Sequence, residues 1–283
     1  MKANKIKIFL FLGMLIILSS IFGKILGGNI LMLILFALTL FISVFYYYFS
    51  DKIIFKIYKV KPLPYHKFPE IHHIVKEVSE IAGIKKPEIY VFPSLHPNIF
   101  STGRAPQKGA IVFTYGILKR LNLRELKAVV AHEISHIKNM DSLIQIFSAA
   151  FVSTITSIAN IFKYLVTFGM ETENKRGDLL YYFILGMFSP FASLLIHLLI
   201  SKNREYIVDE IASKLTNDPL ALASALEKLE FMIRRFPLEI NPATSHIFIL
   251  NPLKSGNFIF NLFNTHPDVE ERIEKLKKLS YVI

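Results

Sequence analysis

Residues 30–50 read ILMLILFALTLFISVFYYYFS, without one charged side chain. As a helix, a run of that length covers about 30 Å, the thickness of a bilayer's hydrocarbon core. Inside lipid, backbone polar groups must be satisfied within the spanning element, so such a run is read as a membrane helix. Three more stretches approach the same length: IFLFLGMLIILSSIF (8–22), SLIQIFSAAFVSTITSIANIF (142–162) and LLYYFILGMFSPFASLLIHLLI (179–200). The first has the basic start and short apolar core of a cleaved signal peptide. No small-x-small cleavage site follows it, however, and a second apolar run begins a few residues later, which favours a retained hairpin. The third carries Ser, Thr, Gln and Asn and would also suit a buried helix of a soluble core. With 52% hydrophobic and 19% charged residues, against about 25% charged in soluble chains, the composition agrees with a membrane protein.

Lysines and arginines set the expected orientation. Lys2, Lys5 and Lys7 precede the first stretch, Lys52, Lys56, Lys59 and Lys61 follow the second, and Lys202 and Arg204 follow the fourth. Both termini and the polar segments are therefore expected in the cytoplasm, on a multi-pass protein of the cell membrane. The net charge of +11 fits contact with anionic headgroups, and no nucleic-acid-binding motif accompanies it. With no cysteine in the chain, any transition metal must be held by histidine and carboxylate.

The chain divides into a hairpin at 1–50, a first polar part at 51–141, a second hairpin at 142–200 and a second polar part at 201–283. In the first polar part, YHKFPEIHHIVKEVSEIAGI has helical spacing, with Ile71, Ile74, Val75, Val78 and Ile81 on one side. PEIYVF (87–92) and GAIVFTY (109–115) read as strands. Asn122 followed by Glu125 marks a helix start. The tail reads as one helix over about 205–233, an irregular stretch, and a last helix opened by Pro267.

The helix started at Asn122 carries HEISH. Positions four apart share one helical face, so His132 and His136 can aim a ring nitrogen at one ion. Glu133 sits one residue round, where its carboxylate reaches a water on the metal rather than the metal, as the proton acceptor of a hydrolysis. The five letters alone do not separate a metallopeptidase from an ordinary helix. SKNREYIVDEIASK (201–214) adds to the case. A hydrolytic zinc usually takes three protein ligands, and Glu205 is a plausible third. Asp209, one turn later on the same face, is placed to accept a hydrogen bond from a ligating histidine. Two crossings between His136 and Glu205 return the chain to the side it left, so both helices emerge together.

VVAHEISHIKNMD, two apolar spans and then SKNREYIVDE resemble the HtpX family of membrane zinc metalloproteases, relatives of the CAAX-prenyl endopeptidase Ste24. YYYFSDKIIFKIYKVKPL, HPNIFSTGR (96–104), ATSHIFILNPL (243–253) and THPDVEERIEKL (265–276) extend the likeness over nearly the whole chain. The resemblance implies a mainly α-helical integral membrane protein: four transmembrane helices carrying a zincin-like α+β protease domain. It implies His132, His136 and Glu205 as ligands of one Zn2+ and Glu133 as general base. It also implies damaged or misfolded membrane proteins as polypeptide substrates. HPNIFSTGR departs mildly from the family's usual N-x-F-A-T-G at Ile99 and Ser101.

Asn98, Phe100 and Gly103 lie in a segment that reads either as an edge strand receiving substrate backbone or as a plain turn. His266 reads as a group facing the scissile carbonyl or as a helix cap before Pro267. Asn139 and Asp141, just beyond the HEISH turn, read as helix termination at least as readily as contact with the active site. Arg204 and Glu210 read as exposed charges, and His197 in the fourth stretch reads as a functional group within the membrane or, more readily, as a packed or snorkelling side chain. A CAAX-type processing protease and a non-catalytic zinc scaffold are the remaining functional classes. The scaffold would need four protein ligands where three are evident.

Overall fold

The computed structural model describes residues 2–103, 105–145, 202–235, 245, 247–251 and 266–282. Nearly all of the third apolar stretch, and the whole of the fourth with His197, fall outside the described residues.

Helix α1 (Lys2–Ile57) is two arms joined at Gly27 and Gly28, where the backbone leaves helical geometry. Gly28 has φ +67°, a left-handed value that suits glycine. The arms lie side by side. Thr39 Oγ1 donates to Ser19 Oγ across them at 2.9 Å, and a Cβ on Gly23 would stand 2.8 Å from the carbonyl oxygen of Leu31. Among the described helices, the one long and apolar enough to cross a bilayer is Gly27–Phe49. Its outer surface carries Ile30, Leu33 and Phe41 exposed, a large apolar face.

The polar part is built on a four-stranded sheet of β1 (Lys61–Pro62), β2 (Glu88–Phe92), β3 (Ile99–Gly103) and β4 (Gly109–Thr114), in the order β1-β2-β4-β3. β2 and β4 run parallel, with Ile89 opposite Ile111. β3 runs antiparallel to β4, with Ser101 opposite Ile111. β3 is the last strand of the sheet, and the first half of its outer edge is covered: Phe248 bridges Phe100, and Ile249 N–H donates to Ile99 O at 3.1 Å.

Helix α2 (Pro69–Ala82) and helix α4 (Leu123–Asn139) cover one face of the sheet, with the short α3 (Tyr115–Arg120) leading into α4. α2 buries Ile71, Ile74, Val75, Val78 and Ala82. Ile81, expected on that side, is 54% exposed instead. At about 100° per residue it falls some 80° off the stripe's centre, while Ala82 falls almost on it. α4 starts with the expected capping box: Glu125 N–H donates to Asn122 Oδ1 at 2.9 Å, and Asn122 N–H donates to Glu125 Oε2 at 3.0 Å. Residues Leu126 to Ile137 are buried apart from Lys127, so α4 is the central helix of the core.

The single tail helix expected over 205–233 is two helices, α5 (Lys202–Thr216) and α6 (Pro219–Arg235). Asn217 takes a left-handed φ of +53°, and Asp218 Oδ1 accepts from Ala221 N–H at 3.0 Å, starting the second helix as proline occupies its first position. Helix α7 (Val269–Leu279) begins two residues after Pro267, with Asp268 at its N-cap.

The other face of the sheet holds a second core of Ile54, Tyr58, Phe100, Val112, Ile247 and Phe248. The end of the membrane-type hairpin therefore packs directly on the sheet. Tyr58 lies edge-on to Phe92 and Phe248, with centroids 5.0 and 5.7 Å apart.

Candidate active site

α4 presents His132, Glu133 and His136 on its buried face, and α5 presents Glu205 and Asp209 opposite them. The two Nε2 atoms of the histidines are 3.1 Å apart. Glu205 Oε2 lies 3.6 Å from His132 Nε2, and Glu205 Oε1 lies 3.6 Å from His136 Nε2. A tetrahedral ion with bonds of about 2.0–2.2 Å sets its ligand atoms about 3.3–3.6 Å apart. The two histidine nitrogens and the Glu205 carboxylate, one oxygen towards each ring, stand at close to those spacings, and all three side chains are buried. Among the described residues, Glu205 Oε2 has no hydrogen-bond partner. A buried carboxylate oxygen left unpaired is costly, and an ion at the common point would satisfy it. The donor set therefore fits a divalent metal held by nitrogen and oxygen.

Electrostatics agree with a site built around concentrated charge. Burial alone would raise the Glu205 carboxyl, but His136 and Arg272 outweigh it and hold it at about 2. Burial would lower His136, but Glu205 and a bond to Asp141 push it up to about 9. Glu133 behaves differently. Burial raises its pKa, against the pull of the two histidines and the Ser101 hydroxyl, so its carboxyl is the more basic one. That is the environment expected of a proton acceptor.

Each histidine is backed by a carboxylate. His136 Nδ1 lies 3.3 Å from Asp141 Oδ2, and His132 Nδ1 lies 2.9 Å from Asp209 Oδ1, although off the line of a good hydrogen bond. Asp209 is held in turn by Arg272 on α7, whose Nε and Nη2 donate to its two oxygens at 2.8 and 2.7 Å. Arg272 Nη1 also donates to Ile249 O at 3.0 Å and approaches Glu205 Oε2 to 3.7 Å. Arg272 is fully buried, although its segment EERIEKLKK is dense in charge. The signal that identifies it is positional: Arg272 follows Val269 by three and precedes Leu276 by four, on the apolar stripe. Asp141 and Arg204 also join the site. Arg204, expected as an exposed charge, has a side chain 13% exposed, with Nε 3.4 Å from Asp141 Oδ1. Glu210 is the exposed charge expected, paired with Lys214.

His266 is buried, with Nδ1 3.9 Å from Glu205 Oε2. It does not cap α7, a position taken by Asp268, and burial lowers its pKa to about 4. The remaining candidates lie in β3 or just before it. Asn98 uses its amide internally: Nδ2 donates to Leu250 O at 3.0 Å and Oδ1 accepts from Ile99 N–H at 3.0 Å. Phe100 is fully enclosed, its ring 5.2 Å from Phe248 and 6.2 Å from Tyr58. Neither side chain faces the metal-ligand cluster. Gly103 ends the strand at φ +143°, where a Cβ would lie 2.6 Å from Lys108 O. The side chain of this strand that does face the cluster is that of Ser101, beside Glu133 and 2.9 Å from Ser142 Oγ.

The sequence signature described as peptidase family M48 matches residues 65–280. The chain belongs to peptidase family M48. Among its relatives, the protein described as Protease HtpX homolog from Pyrococcus furiosus is 42% identical over 260 residues, covering 91% of this chain and 90% of the relative. The Protease HtpX homolog of Pelotomaculum thermopropionicum is 38% identical over 280 residues, covering 98% and 99%. Among solved structures, the crystal structure of S. mikatae Ste24p aligns at 21% identity with a TM-score of 0.47, over 96% of this chain and 67% of that one. As an M48 peptidase with HtpX relatives, the protein is a membrane metalloprotease whose substrates are polypeptides.

Proposed function

We propose that this M48 peptidase is a zinc-dependent endopeptidase of the cell membrane that removes misfolded or damaged membrane proteins. Four spans would anchor it, with both termini and the protease part in the cytoplasm. The observation that carries the reading is the near-tetrahedral convergence of His132 Nε2, His136 Nε2 and Glu205 on one point, with Glu133 beside it.

In this reading His132, His136 and Glu205 hold the ion, which when bound supplies Lewis acidity to the carbonyl and to water. Glu133 takes the proton of the attacking water and returns it to the leaving amine. Asp209 and Asp141 fix the ring orientations of His132 and His136. Arg272 keeps Asp209 ionised and in place. His266 stands next to the ligand Glu205, on the side where an oxyanion would be met. The edge of β3 supports backbone recognition. Asn98 O accepts from Thr114 N–H on β4, so by alternation Ile99, Ser101 and Gly103 turn their N–H and C=O outward. Ile249 N–H already donates to Ile99 O and Phe248 bridges Phe100, which leaves the Gly103 end of that edge for a substrate. A substrate strand added there would be read through its backbone, with little demand on its sequence. Three protein donors among the described residues, leaving a fourth position open, favour this over a structural zinc.

The test compares the wild type with Glu133→Gln, purified in detergent, for zinc content and casein hydrolysis. Retained zinc with lost hydrolysis is expected. Equal hydrolysis by both would sink the assignment of Glu133.

A further inference from the structure

Three links tie the catalytic edge to the apolar segments. The first is α1. Its membrane-length segment ends at Phe49, Asp51 and Lys52 follow, and the helix runs unbroken to Ile57. Tyr58, which continues the last turn with N–H to Ile54 O at 3.0 Å, lies roughly 13 Å past Phe49 at about 1.5 Å per residue. The Tyr58 ring packs against Phe100 of β3. The second link is the end of α4: the helix stops at Asn139, Met140 makes a left-handed turn, and Ser142 to Gln145, where the third apolar stretch begins, are buried within the protein beside the site. The third link is direct: Ser101 Oγ of β3 is 2.9 Å from Ser142 Oγ, and both are buried. Glu205 likewise lies five positions after the end of the fourth stretch.

From these links we propose that the enzyme acts on a defined class of polypeptide: the segment adjoining a substrate's own membrane span. The argument rests on reading the chain as a membrane-anchored protease. With β3 held against Tyr58, roughly 13 Å past the end of the apolar segment of α1, an extended chain at about 3.3 Å per residue needs about four residues to climb from the lipid to the site. A bond closer to the span than that cannot reach the ligands. A bond much further along the tail reaches them only through a floppy tether, whose effective concentration falls as about the −3/2 power of its length. The cleavage window is therefore about four to ten residues from the last apolar residue of the substrate. Within it, the backbone-reading edge imposes little sequence preference.

The experiment reconstitutes the full-length zinc-loaded enzyme in liposomes with single-span reporters. Each carries one cleavable sequence at increasing distance along an unstructured polar tail, and products are mapped by mass spectrometry. Wild type and Glu133→Gln are compared, with casein as a soluble substrate. The expected result is no cleavage below about four residues, a maximum within the window, and a fall of about tenfold when the tether is lengthened fivefold. Glu133-dependent cleavage at equal rates whatever the distance would overturn the proposal and leave the protease reading intact. Failure of the zinc-loaded wild type to cut either reporter or casein would overturn both.

Discussion

Arg272 grips both carboxylate oxygens of Asp209, at 2.7 and 2.8 Å, across two helices far apart in sequence. Both residues are buried, and Asp209 in turn stands behind His132. Removing one member of such a pair strands the other, at a cost of about 3–5 kcal/mol, whereas replacing both by apolar groups is far milder. Arg272→Met and Asp209→Asn should therefore each lower the melting temperature sharply. The double variant Arg272→Met/Asp209→Leu should regain much of that stability but keep a metal affinity about 10–100-fold below wild type. Thermal unfolding and competitive zinc titration read the two effects apart.

The metal-free protein should have a stability maximum on the acid side of neutrality. Glu205, held at about 2, and Asp209, held well below its usual range by Arg272 against its burial, contribute stability present above the ordinary carboxylate pKa of about 4. That contribution disappears as pH falls through their folded values. His136, raised to about 9, contributes in the opposite sense: fully below about 6.5, and lost as pH rises towards 9. His266, lowered to about 4 by burial, also costs stability as pH falls below about 6.5, so thermal unfolding of the chelator-treated protein should peak near that pH. Zinc should flatten the alkaline fall, because the ion takes the place of the proton on His136. A profile still rising from pH 7 to about 9 without metal would contradict this.

Phe100 should behave as a core residue and not as a substrate contact. Its ring closes the cluster with Tyr58, Val112, Ile247 and Phe248. Phe100→Ala should cost about 3–5 kcal/mol. Well below its melting temperature, the variant should keep its zinc content and its KM for peptide. A large rise in KM with unchanged stability would reverse that assignment.

Gly116 marks a close approach between chain segments. A Cβ built there would lie 2.2 Å from Leu95 O, a backbone atom that cannot swing aside. Gly116→Ala should cost about 1–3 kcal/mol, where an alanine at most helical positions would be stabilising. Urea unfolding midpoints of the two proteins test it.

Much of the scaffold under the site is local and therefore legible. The capping box at Asn122 and Glu125, the four-residue spacing of HEISH and the β-branched runs of β2 and β4 depend on near neighbours, and each element lies where its pattern predicts. The tail was harder. Its helical pattern runs through 205–233, but Asn217 and Pro219 divide it, and the apolar period carries no mark of a break that a left-handed residue produces.

The sequence by itself determined which groups were available for chemistry: two histidines on one helical face, a glutamate beside them, a second acidic helix, no cysteine, and apolar stretches long enough for a bilayer. Tertiary structure decided which other polar groups join them. Arg272, Asp141 and Ser101 look like surface or strand residues one at a time, and they enter the site through contacts with elements remote in the chain. The same contacts turn Asn98 and Phe100 inward, because alternation along β3 sends one face to the metal-ligand side and the other to the end of α1. Periodicity predicts a face, but only packing selects what that face meets, and a buried charge is tolerated only where a distant partner neutralises it.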